Sequence, residues 1–215
     1  MIFDVIFRNI HLLLSGLGVT FQIFILAWIG SFLLGIGLGV LRLSSRKAIY
    51  WPVTIYIQTM RSIPLILVIF GFYLLLPIIT GKSMPSLVSA VISFIVFEAV
   101  YFAEIVRGGI QSVRKNLIDA GYSTGLSYFQ VMTFIILPQA IKNMIPSIVT
   151  QSVVVFQDTA LAYVIGVKEF LRITTLVNVR EVRSIELYLF AALVYFCICS
   201  FGSLLARRME KRYGG

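Results

Sequence analysis

Five long apolar segments dominate the pattern of hydrophobic and polar positions along this chain, at 17–41, 53–79, 86–106, 145–166 and 186–206. Each is long enough to cross the hydrocarbon core of a bilayer as a helix, which takes about 20 apolar residues. Basic residues from Arg42 onward end the first segment, Pro85 opens the third, and Pro146 suits the first turn of the fourth. The pattern predicts an all-α, polytopic membrane protein with five transmembrane helices.

The composition also indicates that lipid is the main solvent of the chain. Of its 215 residues, 59% are hydrophobic and 13% are charged, whereas a soluble domain carries about 25% charged residues. The net charge of +9 would suggest nucleic acid in a soluble protein. In a membrane protein it reflects basic loops beside anionic lipid. We therefore expect membrane lipid, and no nucleic acid, among the partners of this chain.

The distribution of basic residues between the predicted loops gives an orientation. Eleven of the 18 lie on the side that holds the loop 107–144 and the C-terminus, six lie on the other side, and Arg61 lies within a segment. Because cytoplasmic loops carry the excess of lysine and arginine, we predict the N-terminus outside and the C-terminus inside. The loop 107–144 then faces the cytoplasm.

Two features refine the first segment. Residues 1–15 mix charged and polar side chains with isoleucine, phenylalanine and leucine, which predicts an interfacial N-terminal helix that leads into the first span. Gly35 and Gly39 stand four residues apart, on one side of a helix, so a second helix can approach closely there.

The sequence offers no set of catalytic or metal-binding residues. It contains no phosphate-binding loop, no His-Glu-x-x-His helix and no nucleophile elbow, so the chain is not expected to hydrolyse ATP. His11 is the only histidine, and Cys197 and Cys199 point to different sides of a helix. We expect neither a metal site nor a cofactor bound by this chain.

The loop 107–144 is the longest connection, and its apolar stretch at 131–137 argues against disorder. Two short helices that meet at an elbow are predicted, one near 115–125 and one near 127–137. Gly121 and Gly125 are poor helix residues. They make sense where the backbone approaches another surface or turns sharply.

Ionisable residues inside the apolar segments need a partner, water or a cavity, because they are costly in lipid. Counting about 1.5 Å per residue puts Arg61 and Glu98 at a similar depth, so the two can meet. They form either a permanent ion pair that locks two spans, or a pathway in which Arg61 receives a substrate carboxylate. Glu104 lies nearer the interface with Arg107 and is predicted to be architectural.

The fourth segment is the best candidate for the wall of a pathway. Ser147, Gln151, Val154 and Asp158 recur along one helical face, and Gln157 and Thr159 flank it. A polar stripe at this depth cannot face lipid cheaply. It lines a transport path, joins two halves of a dimer through hydrogen bonds, or does both.

At this point the chain resembles the permease subunits of ABC importers for polar amino acids. Their Glu-Ala-Ala, Gly, Ile-x-Leu-Pro signature is matched here by Asp119-Ala120-Gly121, Gly125 and Ile135-Ile136-Leu137-Pro138, with aspartate in place of glutamate and Gly121 in place of alanine. Further matches cover nearly the whole chain. They are Arg61-Ser-Ile-Pro64, Ala103-Glu104-Ile-Val-Arg107 and Gln157-Asp158-Thr159. Phe97-Glu98-Ala-Val-Tyr101 and Thr150-Gln151 point to the glutamate/aspartate branch.

The resemblance implies a single permease domain over 1–215 with the type I ABC importer fold, in a bacterial cytoplasmic (inner) membrane. It implies two ATPase subunits that hold ATP and Mg, a second permease subunit (identical or a homologue), and a periplasmic or lipid-anchored amino-acid-binding protein. The ATPase would dock on the coupling loop, with a seat formed by Asp119, Ala120, Gly121 and Gly125 and with Pro138 fixing its exit. The substrate pathway would include Arg61, Glu98, Tyr101, Gln151, Gln157, Asp158 and Thr159.

Other functions remain open at this stage. An ion- or proton-coupled secondary transporter would use the same ionisable residues, although paired broken helices and inverted repeats are not recognisable in the sequence. A membrane-embedded enzyme would need polar groups clustered at one depth. Glutamine, asparagine or a basic amino acid are alternative substrates to glutamate and aspartate.

Overall fold

A computed structural model describes residues 4–213, and its regular structure over that range is helical, with no strand. The helices, numbered along the chain, are α1 (Asp4–Arg8), α2 (Ile10–Leu41), α3 (Lys47–Ser62), α4 (Leu65–Thr80), α5 (Ser86–Gln111), α6 (Lys115–Ser123), α7 (Tyr128–Ile165), α8 (Phe170–Glu181) and α9 (Ser184–Tyr213). The all-α class predicted from the sequence is confirmed.

Four helices, α2, α5, α7 and α9, are long and apolar enough to cross a membrane, and α3 with α4 make a fifth candidate span if the bent pair counts as one. Their outer faces carry large apolar side chains, such as Leu33, Ile78 and Phe201, that are exposed as lipid-facing residues would be. The prediction of five spans is met only if this bent pair counts as one span. The orientation across the membrane stays a prediction.

The second span is broken, which corrects the prediction of one continuous helix over 53–79. The axes of α3 and α4 differ by 109°. Pro64 has no N–H and disfavours a helical conformation in the preceding residue. Ile63 is accordingly extended, with φ −106° and ψ 134°. The break turns the chain sharply between α3 and α4, so the two helices do not form one straight span.

Helices α2 and α5 form the centre of the fold and approach each other closely through glycines. A Cβ added at Gly35 would lie 2.5 Å from Phe102 Cβ, and one added at Gly39 would lie 2.8 Å from the Ala103 carbonyl oxygen. Both distances are too short for a side chain, so only glycine fits. The predicted close approach at Gly35 and Gly39 is confirmed.

Helix α7 runs without interruption from the loop region 107–144 into the fourth span, which corrects the prediction of a separate short helix at 127–137. A wide, π-helical turn over Val131–Ile136 precedes Pro138, and the Leu137 N–H donates to the Met132 carbonyl, five residues earlier. The wider turn accommodates a proline inside the helix. Pro146 also lies inside α7, not in the first turn of a span as predicted.

The N-terminal region differs in its boundary from the predicted interfacial helix at 1–15. Helix α1 ends at Arg8, and residues 10–15 already belong to α2. Asn9 joins the two helices and is held by Arg180 and by Glu181 of α8, while Arg8 pairs with Glu181 at 2.5 Å. Residues 1–3 lie outside the described residues, and the interfacial position stays a prediction.

Candidate functional site

Helix α6 is the exposed element that the sequence predicted near 115–125. Asp119 and Ala120 lie on its solvent-facing surface, beside the exposed side chains of Leu117 and Tyr122. Neither apolar side chain is covered by the described part of the chain. This face is therefore available to another protein.

The two glycines of this region have separate structural roles. Gly121 is buried, and a Cβ added there would lie 2.5 Å from Ile135 Cδ1 of α7. It therefore permits α6 to pack on the chain's own helix and does not lie on the exposed face. Gly125 has a φ of 84°, in the left-handed region that favours glycine, and makes the turn from α6 to α7. The sharp turn expected of glycine is found at Gly125, whereas Gly121 approaches Ile135 of this chain and not the partner surface expected for it.

The segment that carries α6 is held firmly at both ends. Ser127 caps the start of α7, with its N–H donating to Gln130 Oε1 at 2.8 Å. At the end of α5, Ser112 Oγ accepts a hydrogen bond from Asn143 Nδ2 at 2.8 Å. Because α6 is joined to α5 and α7 by short connections, a displacement of α6 must be passed to both spans.

A buried acidic pair lies deeper in the protein, between α5 and α7. Glu98 is fully buried, and its Oε2 accepts a hydrogen bond from Gln151 Nε2 at 2.7 Å. Its other oxygen, Oε1, has no hydrogen-bond donor among the described residues, and the Asp158 carboxyl lies within electrostatic range of Glu98. Two carboxylates in range of each other repel, so a cationic group beside the pair is favoured.

Arg61 does not pair with Glu98. At the end of α3, its Nη1 lies 3.4 Å from Glu104 Oε1, and its guanidinium carbon lies 5.8 Å from the centre of the Tyr101 ring. The depth estimate from the sequence assumed a straight second span, and the break at Pro64 invalidates that assumption. Tyr101 lies within electrostatic range of Arg61, Glu98 and Asp158. Tyr101 thus interacts with both the guanidinium and the acidic pair.

Glu104 is the centre of an ion cluster with three arginines, which we call the Glu104 cluster. Its Oε1 contacts Arg42 and Arg61, and its Oε2 accepts from Arg107 Nη2 at 2.7 Å and Nε at 2.9 Å. The cluster ties the ends of α2, α3 and α5 together. The architectural role predicted for Glu104 with Arg107 agrees with this geometry. Arg42 was not anticipated as a partner, although it follows α2 directly, at the same end of the bundle.

Two of the predicted pathway residues lie apart from the acidic pair. Gln157 is exposed and lines a groove of about 580 Å³ against α9, together with Cys199 and Arg207. Thr159 is fully buried and donates to the Phe156 carbonyl oxygen at 2.6 Å. The structure therefore brings together Arg61, Glu98, Tyr101, Gln151 and Asp158, but not these two.

Glu169 is a titratable residue that sequence reasoning missed. It lies in the connection between α7 and α8, where its carboxylate caps α8 by accepting from the N–H groups of Leu171 at 2.8 Å and Arg172 at 2.6 Å. Burial raises the pKa of Glu169 to about 7, although these two N–H groups lower it. Its position immediately before an amphipathic stretch was the available signal.

No three His, Cys, Asp or Glu side chains within residues 4–213 are grouped so that they could hold a metal ion. The arrangement instead offers the Arg61 guanidinium and the Glu98–Asp158 acidic pair, with the Tyr101 phenol within electrostatic range of both. These groups suit the binding of a zwitterionic molecule.

Comparisons with known proteins agree with the geometry. A sequence profile described as "Binding-protein-dependent transport system inner membrane component" matches residues 31–215. The glutamate/aspartate import permease protein GltK of Escherichia coli O6:H1 is 39% identical over 207 residues, which cover 93% of this chain and 92% of the relative. The probable glutamine ABC transporter permease protein GlnP of Bacillus subtilis is 34% identical over 208 residues, which cover 95% of each chain.

Solved structures give the same result for the fold. A crystal structure of an amino acid ABC transporter with histidines superposes with a TM-score of 0.91 at 28% identity, and the match covers 98% of both chains. The MetNI methionine ABC transporter, in an inward-facing conformation, superposes with a TM-score of 0.75 at 19% identity and shares the fold.

Proposed function

The chain belongs to the family of inner membrane components of binding-protein-dependent transport systems and is an amino-acid permease of an ABC importer; we propose that its substrate is glutamate or aspartate. As a permease it is not an enzyme, and a partner ATPase hydrolyses the ATP. It resides in the inner membrane and works with ATPase and substrate-binding protein partners.

The proposed assembly has two ATPase subunits, which hold ATP and Mg, and two permease subunits. The second permease is an identical copy or a homologue, and the binding protein is periplasmic or lipid-anchored. The exposed face of α6, with Asp119 and Ala120, is proposed as the ATPase contact because it presents uncovered Leu117 and Tyr122. Transport proceeds by alternating access.

The substrate proposal rests on one observation, namely that Tyr101 interacts with both a guanidinium and an acidic pair. Glutamate and aspartate carry two carboxylates and one ammonium group. The half-exposed Arg61 suits a carboxylate, and the unsatisfied Glu98 with Asp158 suits the ammonium. The identity of 39% to a glutamate/aspartate import permease supports the same substrate class.

The break in the second span supplies a further group for an anion. Helix α4 begins at Leu65, and Pro64 before it provides no side-chain cap. Uncapped N-terminal N–H groups of a discontinuous helix favour an anionic substrate group. Arg61 lies in the last turn of α3, directly before this break. Its guanidinium and the N-terminus of α4 are therefore close to each other along the chain. A second carboxylate of the substrate can use the start of α4.

The same geometry connects ATP hydrolysis to the substrate. The acidic pair lies between α5 and α7, since Glu98 is on α5 and both Gln151 and Asp158 are on α7. The segment that carries α6 joins these two helices. A movement of α6 by the ATPase therefore changes the relative position of the two walls of the proposed site.

The proposal is tested with the complete importer reconstituted in liposomes, by measuring ATP-driven uptake of glutamate, aspartate, glutamine, asparagine and a basic amino acid. We expect preference for glutamate and aspartate. Arg61→Gln should reduce glutamate uptake about tenfold or more, because a hydrogen bond to a charged group is worth about 1.5–3 kcal/mol. Glutamine uptake, where present, should fall less, because we assign Arg61 to the side-chain carboxylate of the substrate, which glutamine lacks.

Arg208→Gln is the matched control, since Arg208 is exposed near the end of α9 and away from the site. Purification of the intact complex from each variant separates transport defects from assembly defects. Equal losses for glutamate and glutamine would contradict the role of Arg61. Uptake that persists without ATP would exclude the importer and support a secondary transporter.

A further inference from the structure

A groove of about 600 Å³ lies between the α2–α3 connection and the start of α7. We call it the Ser44–Arg46 groove. Its walls are apolar and include Val40, Ile110 and Met132, whereas its rim carries Ser44 and Arg46. A phospholipid has apolar acyl chains at one end and a phosphate at the other. The groove matches this arrangement, because its apolar walls lead to hydroxyl and guanidinium groups at the rim.

The rim of the groove is positively charged, and no acidic side chain of the described residues neutralises this charge. Arg46 and Lys47 are both exposed, and neither forms an ion pair with any residue in the range 4–213. The nearby carboxylate of Glu104 is already shared by three arginines. The rim is therefore complementary to an anion.

The start of α3 adds to this charge. Arg46 is the N-cap residue of this 16-residue helix, it forms no side-chain cap, and the first turn contains no acidic residue. The free N–H groups at such a helix start favour a phosphate. The Ser44 and Ser45 hydroxyls lie beside it as further donors.

Aromatic residues place the rim at the boundary between membrane and water. Tyr50 and Trp51 follow one turn after Arg46, are exposed, and contact each other with ring centres 5.6 Å apart. Tyr128, at the opposite edge of the groove, is also exposed. Exposed tyrosine and tryptophan at the ends of spans mark the level of lipid headgroups.

We propose that the Ser44–Arg46 groove binds one anionic phospholipid. Its phosphate lies against Arg46, the two serines and the start of α3, and an acyl chain lies along Val40, Ile110 and Met132. The groove bridges the α2–α3 connection and the π-helical turn of α7, so the lipid braces the segment that carries α6. An ATPase contact is the other candidate for this surface, but it would leave the apolar trough unfilled.

The test measures lipid binding to the full chain purified in a mild detergent, by native mass spectrometry with phosphatidylglycerol and with phosphatidylcholine. We expect the wild-type chain to retain phosphatidylglycerol in preference to phosphatidylcholine. Arg46→Gln should weaken phosphatidylglycerol binding about fivefold, the effect of one basic charge at an anionic lipid surface. Arg46→Gln/Lys47→Gln should weaken it further.

Arg208→Gln serves as the matched control and should bind phosphatidylglycerol like the wild type, since Arg208 is also exposed but lies near the end of α9. Equal binding of the two lipids, or equal losses in Arg46→Gln and Arg208→Gln, would overturn the proposal. So would unchanged lipid binding by Arg46→Gln together with loss of the ATPase subunit when the complete importer carrying this variant is purified. The measurement needs neither ATP nor an amino acid, so its outcome is independent of the proposed substrate.

Discussion

Replacing Glu104 by glutamine tests the Glu104 cluster, in which one carboxylate neutralises three guanidiniums. The side chain of Glu104 is 17% exposed, and those of Arg42, Arg107 and Arg61 are 12%, 32% and 47% exposed. Removing one partner of a buried ion pair costs about 3–5 kcal/mol, whereas exposed pairs contribute about 0–1 kcal/mol. Arg42 is the most buried arginine, so its lost partner should dominate the effect.

Arg61 and Arg107 should contribute less to the loss of stability in Glu104→Gln. Arg61 is half-exposed, and Arg107 keeps a hydrogen bond from its Nη1 to Gln111 Oε1 at 2.5 Å. We therefore expect Glu104→Gln to lower the free energy of unfolding by about 3 kcal/mol, near the lower limit for a buried pair. Thermal unfolding of the purified chain in detergent, at constant pH and salt, is the assay.

Glu186→Gln provides the control, because Glu186 is equally buried, at 15% exposure, but pairs with one exposed arginine, Arg183, at 3.0 Å. It should cost less than about 1 kcal/mol. The double variant Arg42→Gln/Glu104→Gln should be less destabilised than the sum of its single variants. Similar losses for Glu104→Gln and Glu186→Gln, or additive losses in the double variant, would refute the reasoning.

Two further predictions concern stability. Gly35→Ala should lower the free energy of unfolding by about 1–3 kcal/mol, because its Cβ would lie 2.5 Å from Phe102 Cβ. Gly37→Ala, with no atom within 4 Å of the new Cβ, should leave the melting temperature unchanged or slightly raised. Glu169 binds a proton in the folded chain up to about pH 7 but up to about pH 4.5 when unfolded. Its contribution to stability should therefore decline as pH rises through this window, by at most about 3 kcal/mol. The melting temperature of Glu169→Gln should not show this decline, and a wild-type curve parallel to that of the variant would contradict the pKa assignment.

The sequence predicted the parts of the structure that depend on local pattern. Span lengths follow from hydropathy, and the close contact at Gly35 and Gly39 follows from two small residues on one helical face. Helix α6 was predicted within two residues of its end at Ser123. These features need no knowledge of which helix lies beside which.

The remaining features depend on where a helix bends or continues, which hydropathy does not encode. The partner of Arg61 was misjudged because residue counting gives depth along a straight helix, and the 109° bend at Pro64 redirects the chain. Proline at that position was the available signal. The continuity of α7 was missed for the opposite reason, since Pro138 and Pro146 suggested boundaries that the π-helical turn makes unnecessary.

The contact between α2 and α5 has a mechanical consequence for alternating access. Their backbones touch at Gly35 and Gly39 with no layer of side chains between them, so neither helix can slide along the other without a collision. In the alternating access proposed above, we therefore expect the two helices to move together as one rigid body. We expect the backbone to change conformation instead at the extended Ile63–Pro64 segment and at the short connection between α5 and α6. These two segments would act as the hinges of the transporter.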